Sequence, residues 1–359
     1  MNARNFSLFK LFLLAFFFSF ACNGSETLTK PPYPVMDSGV WADGTGIPDI
    51  FWLDNNRVLF RGSEETEKRK QPSGKFNLSI WEINKGVSVY ARGIDRIQGM
   101  FERLCYQDGI IFYPLIEKDA QGNGQYKYGK MGQEKTFTRK AGEKRYFDTM
   151  NCQFYESQPG LKERHDYKLL LNRHGYLDYG PRSENRNLPH GKGKPILYYR
   201  KGLDKPISLP ITNEGTKLRQ YYVFRDAYFV YRLAMGTWSG DSETAWWLMP
   251  EGKVTEVTIP HGPWTHGGSV GFYPTQKGTF VRYDTFKSNK DPGDAGGYLV
   301  TGKNVVRVIV GHLKEPVTSP DGCKVVFVHQ PYSDADLPND PGRVTLKMIN
   351  FCKEEKNRE

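Results

Sequence analysis

Short runs of β-branched, aromatic and other apolar residues, bounded by Gly, Pro, Asn and Asp, recur along the chain from Ile50 onward. Amphipathic stretches rich in leucine and alanine are nearly absent. Runs of this length and punctuation predict β-strands joined by tight turns. The clearest unit is Thr318-Ser319-Pro320-Asp321-Gly322 followed by Cys323-Lys324-Val325-Val326-Phe327-Val328-His329. Proline presets one turn dihedral and Asp-Gly tolerates positive φ, so the chain reverses there and a strand follows. Weaker copies turn at Asp54-Asn55-Asn56, Asp108-Gly109, His174-Gly175, Asp226-Ala227 and Lys277-Gly278. The unit therefore returns about every fifty residues, with one longer step between Gly109 and Gly175, and fifty residues is the size of a four-stranded propeller blade.

Dividing the chain at these turns gives blocks. The first holds strands at 50–53, 57–61, 78–83 and 87–91, with a charged loop over 62–75. The second holds 104–106, 110–116, 126–128 and 135–139. The third is crowded, with candidates at 150–155, 167–171, 176–179, 196–199 and 207–211 for four places. The fourth (220–224, 228–233, 244–248, 254–259) and fifth (268–273, 279–283, 297–301, 305–310) are regular. The sixth offers only 315–318, 324–329 and 344–351. A ring closed on itself leaves no exposed sheet edge, so residues 35–41 are expected to supply the missing strand. The expectation is an all-β fold: a single β-propeller over residues 35–353, with six four-stranded blades and the last closed by an N-terminal strand. Two β-sandwiches are the rival, and they predict a composition break near the middle that the chain does not have.

Ser319-Pro320-Asp321-Gly322 followed by residues 324–327 resembles the TolB-type propeller repeat, in which a Pro-Asp-Gly turn precedes a strand ending in an aromatic. Asp54 with Arg57-Val58-Leu59-Phe60 matches in part, and the other copies lack the proline. The resemblance implies a propeller of that general kind and carries no catalytic residue across.

The N-terminus sets an address. Arg4 and Lys10 precede an apolar run over 11–18, then Ser19-Phe20-Ala21 and Cys22. A charged start, a short apolar core and small residues before the break predict a signal peptide over 1–21. The run is too short for a permanent membrane span. The segment around Cys22 also resembles a bacterial lipoprotein signal, departing from it at Ser19 and Phe20. Cysteine parity bears on the choice. Five cysteines leave one unpaired in a secreted chain, but lipid on Cys22 leaves Cys105, Cys152, Cys323 and Cys352, an even set. The expected product is a domain held to a membrane by a lipid anchor, through a polar tether over 22–34, and ending in a charged tail over 354–359.

The pairing of Cys323 with Cys352 follows from the local pattern. They flank consecutive strands, and in an antiparallel hairpin the start of one strand lies opposite the end of the next. Such a bridge stabilises by about 3 kcal/mol through the unfolded chain. Cys105 with Cys152 is the less secure pair, because neighbouring blocks need not bring those residues close enough.

The formal charge is +10, of which Arg4 and Lys10 leave with the signal. The excess is spread, with denser patches at 68–70, 139–145 and 182–194. Nucleic acid is not a partner expected outside the cytoplasm. Anionic envelope polymers, glycans, lipid headgroups or another envelope protein are.

The densest polar-aromatic cluster is His261-Gly262-Pro263-Trp264-Thr265-His266-Gly267-Gly268, between the fourth and fifth blocks, where interblade connections line a channel rim. His261, Trp264 and His266 are therefore ligand-binding candidates, as are Arg282 and Asp284 at the end of a strand in the next block. For the His261–Gly268 stretch the sequence favours the plainer reading, a tight connection in which Trp264 packs and the histidines are solvated or hydrogen-bonded. Arginines beside aromatics, as at Arg282-Tyr283 and Tyr231-Arg232, suit an anion or a sugar face. They equally suit contacts that stitch blades together, which is the reading the sequence favours. Trp246-Trp247 is expected to fill space between blades. Asp291 with Asp294, and Asp334, Asp336 and Asp340, are read as turns, because neither segment has the twelve-residue calcium-loop pattern. No metal and no cofactor is called for, and no Ser-His-Asp order stands out. These features point to a binding or scaffolding module, with a glycan-active hydrolase or lyase as the alternative. Two close carboxylates, or a histidine bonded to a buried acid, would mark the enzyme.

Overall fold

The computed structural model describes residues 33–42, 49–65, 72–95, 104–138, 146–148, 152–155, 175–178, 195–200, 202–212, 217–223, 227–233, 242–248, 252–260, 262–266, 269–284, 293–330 and 344–353. Apart from one 3-10 turn, every element among them is a strand. The chain begins with β1 (Val35–Ala42), then β2 (Ile50–Trp52), β3 (Arg57–Glu65), β4 (Pro72–Glu82) and β5 (Gly86–Ile94). Next come β6 (Cys105–Gln107), β7 (Ile110–Lys118), β8 (Gly124–Lys130) and β9 (Lys135–Thr138). Shorter pieces follow: β10 (Tyr146–Asp148), β11 (Gln153–Tyr155), β12 (Gly175–Asp178), β13 (Pro195–Arg200) and β14 (Ile207–Thr212). Then come β15 (Lys217–Val223), β16 (Ala227–Leu233), β17 (Ser242–Leu248) and β18 (Val254–Pro260). After the 3-10 turn Pro263–His266 lie β19 (Ser269–Thr275), β20 (Gly278–Asp284), β21 (Gly296–Thr301) and β22 (Asn304–Val310). The last are β23 (His312–Thr318), β24 (Lys324–Gln330) and β25 (Thr345–Asn350).

Consecutive antiparallel pairing gives four-stranded sheets β15–β18 and β19–β22. The three C-terminal strands gain their fourth member from the other end of the chain. β1 pairs antiparallel with β25, Val35 opposite Ile349 and Trp41 opposite Thr345. The same sheet continues through two Cα partners, Trp41 with Ser63 and Ala42 with Gly62, into β3, and so joins the first block. First strands of successive sheets also lie side by side: β15 against β19, β19 against β23, and β23 against β2. That order runs past the end of the chain back to its beginning.

The turns anticipated from the sequence form by their own chemistry. Asp108 (φ 49°) and Gly109 (φ 81°) both take positive φ in the tight link between β6 and β7. In the turn before β24, Gly322 N–H donates to the Ser319 carbonyl (2.8 Å), and Asp321 Oδ1 accepts from Cys323 N–H (3.0 Å). Burial pushes the Asp321 carboxyl up, but bonds from Ser319 and Cys323, with Lys324 nearby, outweigh it and hold it below the usual carboxylate range. Neighbouring turns are tied together. Gln276 N–H donates to the Gly322 carbonyl (3.0 Å), and Lys324 Nζ donates to the Asn55 carbonyl (3.0 Å).

The uninterrupted apolar run of β24 is explained by burial on both faces. Val325 and Phe327 pack with Phe280, Leu299 and Val308 of the preceding sheet. Val326 and Val328 pack with Val58, Phe60 and Trp81 of the first block. Trp247, with Trp246 also buried, lies between the β15–β18 and β19–β22 sheets, as its sequence position suggested.

Two expectations need correction. Within the charged segment 62–75, the described residues 62–65 and 72–75 are strand, since β3 and β4 continue pairing as far as Glu65 opposite Pro72. Backbone ladders form whatever the side-chain polarity, and Gly62 lets β1 approach, as a Cβ there would lie 3.1 Å from Val40. In the crowded third region, β10 pairs with β11 alone among the described strands, and β12, β13 and β14 form a three-stranded sheet. Strand β10 has no counterpart among the candidates, being too short to show a pattern. The second possible pair, Cys105 with Cys152, does form a disulfide, with Cα atoms 5.7 Å apart. Cys152 takes positive φ (50°) beside β7, where its Sγ lies 3.8 Å from the Ile110 carbonyl, so local backbone geometry turns it toward Cys105. The Cys323–Cys352 bridge forms as the hairpin register requires, with Cα atoms 5.2 Å apart and Phe351 N–H donating to the Cys323 carbonyl.

Candidate functional site

The rim candidates divide according to which side of a strand they occupy. In β20, Val281 and Tyr283 face the β15–β18 sheet, where they pack with Trp247, Ile259 and Trp264. Phe280, Arg282 and Asp284 alternate with them and face β23. Trp264, held on the 3-10 turn, is only 3% exposed and meets Tyr298 edge-on at 5.5 Å. Its ring is a core element and offers no stacking face to solvent. His261 lies outside the described residues, as do Cys22, Asp291, Asp334, Asp336, Asp340 and the three basic patches. His266 closes the 3-10 turn in backbone only.

Arg282 and Asp284 are brought together with two residues the sequence reading did not single out, Ser269 and His312. Ser269 is the direct cross-strand partner of Asp284, whereas Arg282 stands between two glycines, Gly271 and Gly297. The Arg282 guanidinium donates through Nη2 to Ser269 Oγ (2.6 Å) and reaches the Leu313 carbonyl through Nη1 (3.5 Å). Its Nε–H is buried and has no hydrogen-bond partner. Asp284 is hydrogen-bonded to His312 Nδ1 across the junction of the two sheets. The carboxylate side chain is 30% exposed and the imidazole 15%. His312 follows Gly311 at the start of a first strand, much as Ser269 follows Gly268; that shared position is the signal that could have flagged it.

Deeper in the same junction lies His329, 5% exposed. Its Nε2–H donates to the Val310 carbonyl (2.8 Å), which fixes the tautomer and leaves Nδ1 as a buried acceptor without a partner. Burial, with further opposition from Lys347 and His312, pushes this imidazole down to about 4 against weaker support from Val310 and Asp37. It is therefore neutral across the physiological range.

At the turn end of the sheets, a cleft of about 450 Å³ is lined by Asp54, Asn55, Asn56, Arg57, Glu82, Ile83, Asn84 and Lys85. Its charges are paired at the surface, Arg57 with Asp54 (2.6 Å) and Lys85 with Glu82 (2.8 Å). No three His, Cys, Asp or Glu side chains among the described residues are placed to hold a metal ion. Nor is any helix among them long and apolar enough to cross a membrane.

No family model matches the chain, and no curated protein matches it. Among solved structures it is similar to the β-propeller domain of the trilobed protease from Pyrococcus furiosus. That match has 10% identity, 86% of this chain and 97% of the other, and a TM-score of 0.40. It is also similar to a luciferin-regenerating enzyme (7% identity, 90% and 97% coverage, TM-score 0.36). A GH43_1 enzyme from Xanthomonas citri complexed with xylotriose is a third (8% identity, 88% and 90% coverage, TM-score 0.30). Likeness this distant transfers no residue and no activity, and strand connectivity stands as the description of the fold.

Proposed function

We propose that the protein is an exported β-propeller of six blades, closed by its N-terminal strand, that acts as a binding or scaffolding module at a bacterial cell envelope. It is held to the membrane by lipid on Cys22 and engages an anionic polymer, a glycan or another envelope protein. The observation that carries this reading is how the rim candidates are used. Trp264 is buried, and Asp284 is bonded to His312 across the sheet junction. Trp264 serves the core, and the Asp284 carboxylate is engaged in a contact between sheets. Two disulfides fit an oxidising compartment, and β1 is clamped to β25 directly after the proposed tether.

The second reading, a glycan-active hydrolase or lyase, takes its support from the same Asp284–His312 contact, since an acid oriented by an imidazole can move a proton. Asp284 is 30% exposed, however, and is not the buried acid that would mark the enzyme. A screen of the purified protein against envelope polysaccharides, scoring both retention and chain shortening, separates the two. Retention with unchanged polymer length is the expected result, and release of new reducing ends or unsaturated products would overturn it. Intact mass of membrane-extracted protein tests the anchor: a chain beginning at an acylated Cys22 is expected, and an unmodified Cys22 in a freely soluble product ends that part.

A further inference from the structure

We infer that the junction of β19–β20 with β23 is a recognition subsite for a carboxylated sugar, with Arg282 as its charge anchor. The inference rests on the binding-module reading above and names the ligand chemistry of one part of that rim.

The charges at this junction are not balanced. Removing a guanidinium from water is costly unless its charge and donors are met. The buried Nε–H does not by itself set Arg282 apart, since Arg307 has one too; what differs is the partner of the charge. Arg61 faces Asp49 at 3.6 Å, and Arg307 lies over the Tyr298 ring at 5.8 Å while donating to the Ala295 carbonyl. Arg282 has neither. Its contacts are a serine hydroxyl and one long bond to a carbonyl, and it forms no ion pair with a described residue. The adjacent carboxylate, Asp284, is directed to His312 instead. A half-buried cation therefore remains at the rim, and a carboxylate is the ligand group whose planar pair of oxygens matches a guanidinium fork.

Asp284 decides the rest of the ligand. It lies two residues along on the same strand face, about 7 Å from Arg282 by strand geometry. A phosphate- or sulfate-dense ligand would be repelled there. A group that presents a carboxylate to Arg282 and hydroxyl donors to the partly exposed Asp284 is met at both points. One sugar ring bearing an acid and free hydroxyls has that combination on that scale. The glycines opposite Arg282 on both sides put no side chain of their own beside it.

The test uses the purified protein with alginate, a polymer of uronic acids, against the same polymer esterified to neutrality, dextran, and inorganic sulfate as competitor. Affinity electrophoresis should show retention by alginate alone. R282Q should bind roughly tenfold or more weakly, with R282K in between. Near-UV circular dichroism and non-reducing mapping of both disulfides check the fold of each variant. Hydrogen exchange on the wild-type protein supplies a readout that needs no variant: alginate should slow exchange in 269–284 and 312–318. Equal retention by the esterified polymer, wild-type affinity in R282Q, displacement by sulfate as readily as by uronate, or protection confined to other strands would each overturn the assignment. Binding of a neutral glycan without dependence on Arg282 would overturn this subsite and leave the binding-module reading standing. That reading has its own test in the polymer screen.

Discussion

His329 makes the acid limb of stability predictable. In the unfolded chain its imidazole takes up a proton as pH falls through the ordinary 6.5, whereas in the folded protein it does not until about 4. Between those values the unfolded state binds the extra proton, so stability is fully present above pH 6.5 and is lost as pH falls toward 4, flattening below. The gap, at 1.36 kcal/mol per pH unit, corresponds to about 3 kcal/mol. The cause is physical: a 5% exposed ring between two sheets, opposed by Lys347 and His312 and supported by Asp37 and the Val310 carbonyl. The perturbation is H329Q, which retains an N–H able to serve Val310 but does not titrate. Urea unfolding of wild type and variant at pH 7.5, 5.5 and 4 measures the difference between them, so that other titrating groups cancel. The wild type should lose about 3 kcal/mol more than H329Q over this interval. Parallel stability curves, or a difference that keeps growing below pH 4, would refute the assignment of a buried neutral imidazole.

Removing the terminal bridge with C323S/C352S should cost roughly 3–4 kcal/mol on the chain-entropy estimate. It should also raise amide exchange in β25 and β1 before the rest, and unchanged exchange there would show that the bridge does not hold these terminal strands. Gly278 has φ 140°, and a Cβ there would lie 2.2 Å from the Val300 carbonyl oxygen. G278A should therefore lower stability by more than 1 kcal/mol in thermal or urea unfolding, and a neutral result would mean the β20–β21 approach is looser than described.

Local pattern alone determined much of this protein. Turn residues such as Asp108-Gly109 and Ser319-Pro320-Asp321-Gly322 act within a few residues, so the reversals and the strands between them were legible. The Cys323–Cys352 pairing was equally legible, because hairpin register is set by the two strands it joins. The pairing of β1 with the C-terminal strands followed from counting strands and from the cost of an open sheet edge. Contacts between residues remote in sequence were not legible in this way. Cys152 reaches Cys105 only through a positive-φ backbone beside β7, and Asp284 meets His312 only where two sheets abut. Trp264, with its polar neighbours, was compatible with either a binding surface or packing, and in the fold it fills a core between sheets. A side chain's nearest neighbours in sequence determine its strand and its face. What lies against that face, and therefore whether the residue is buried, paired or left charged at a rim, is decided by which sheet packs there.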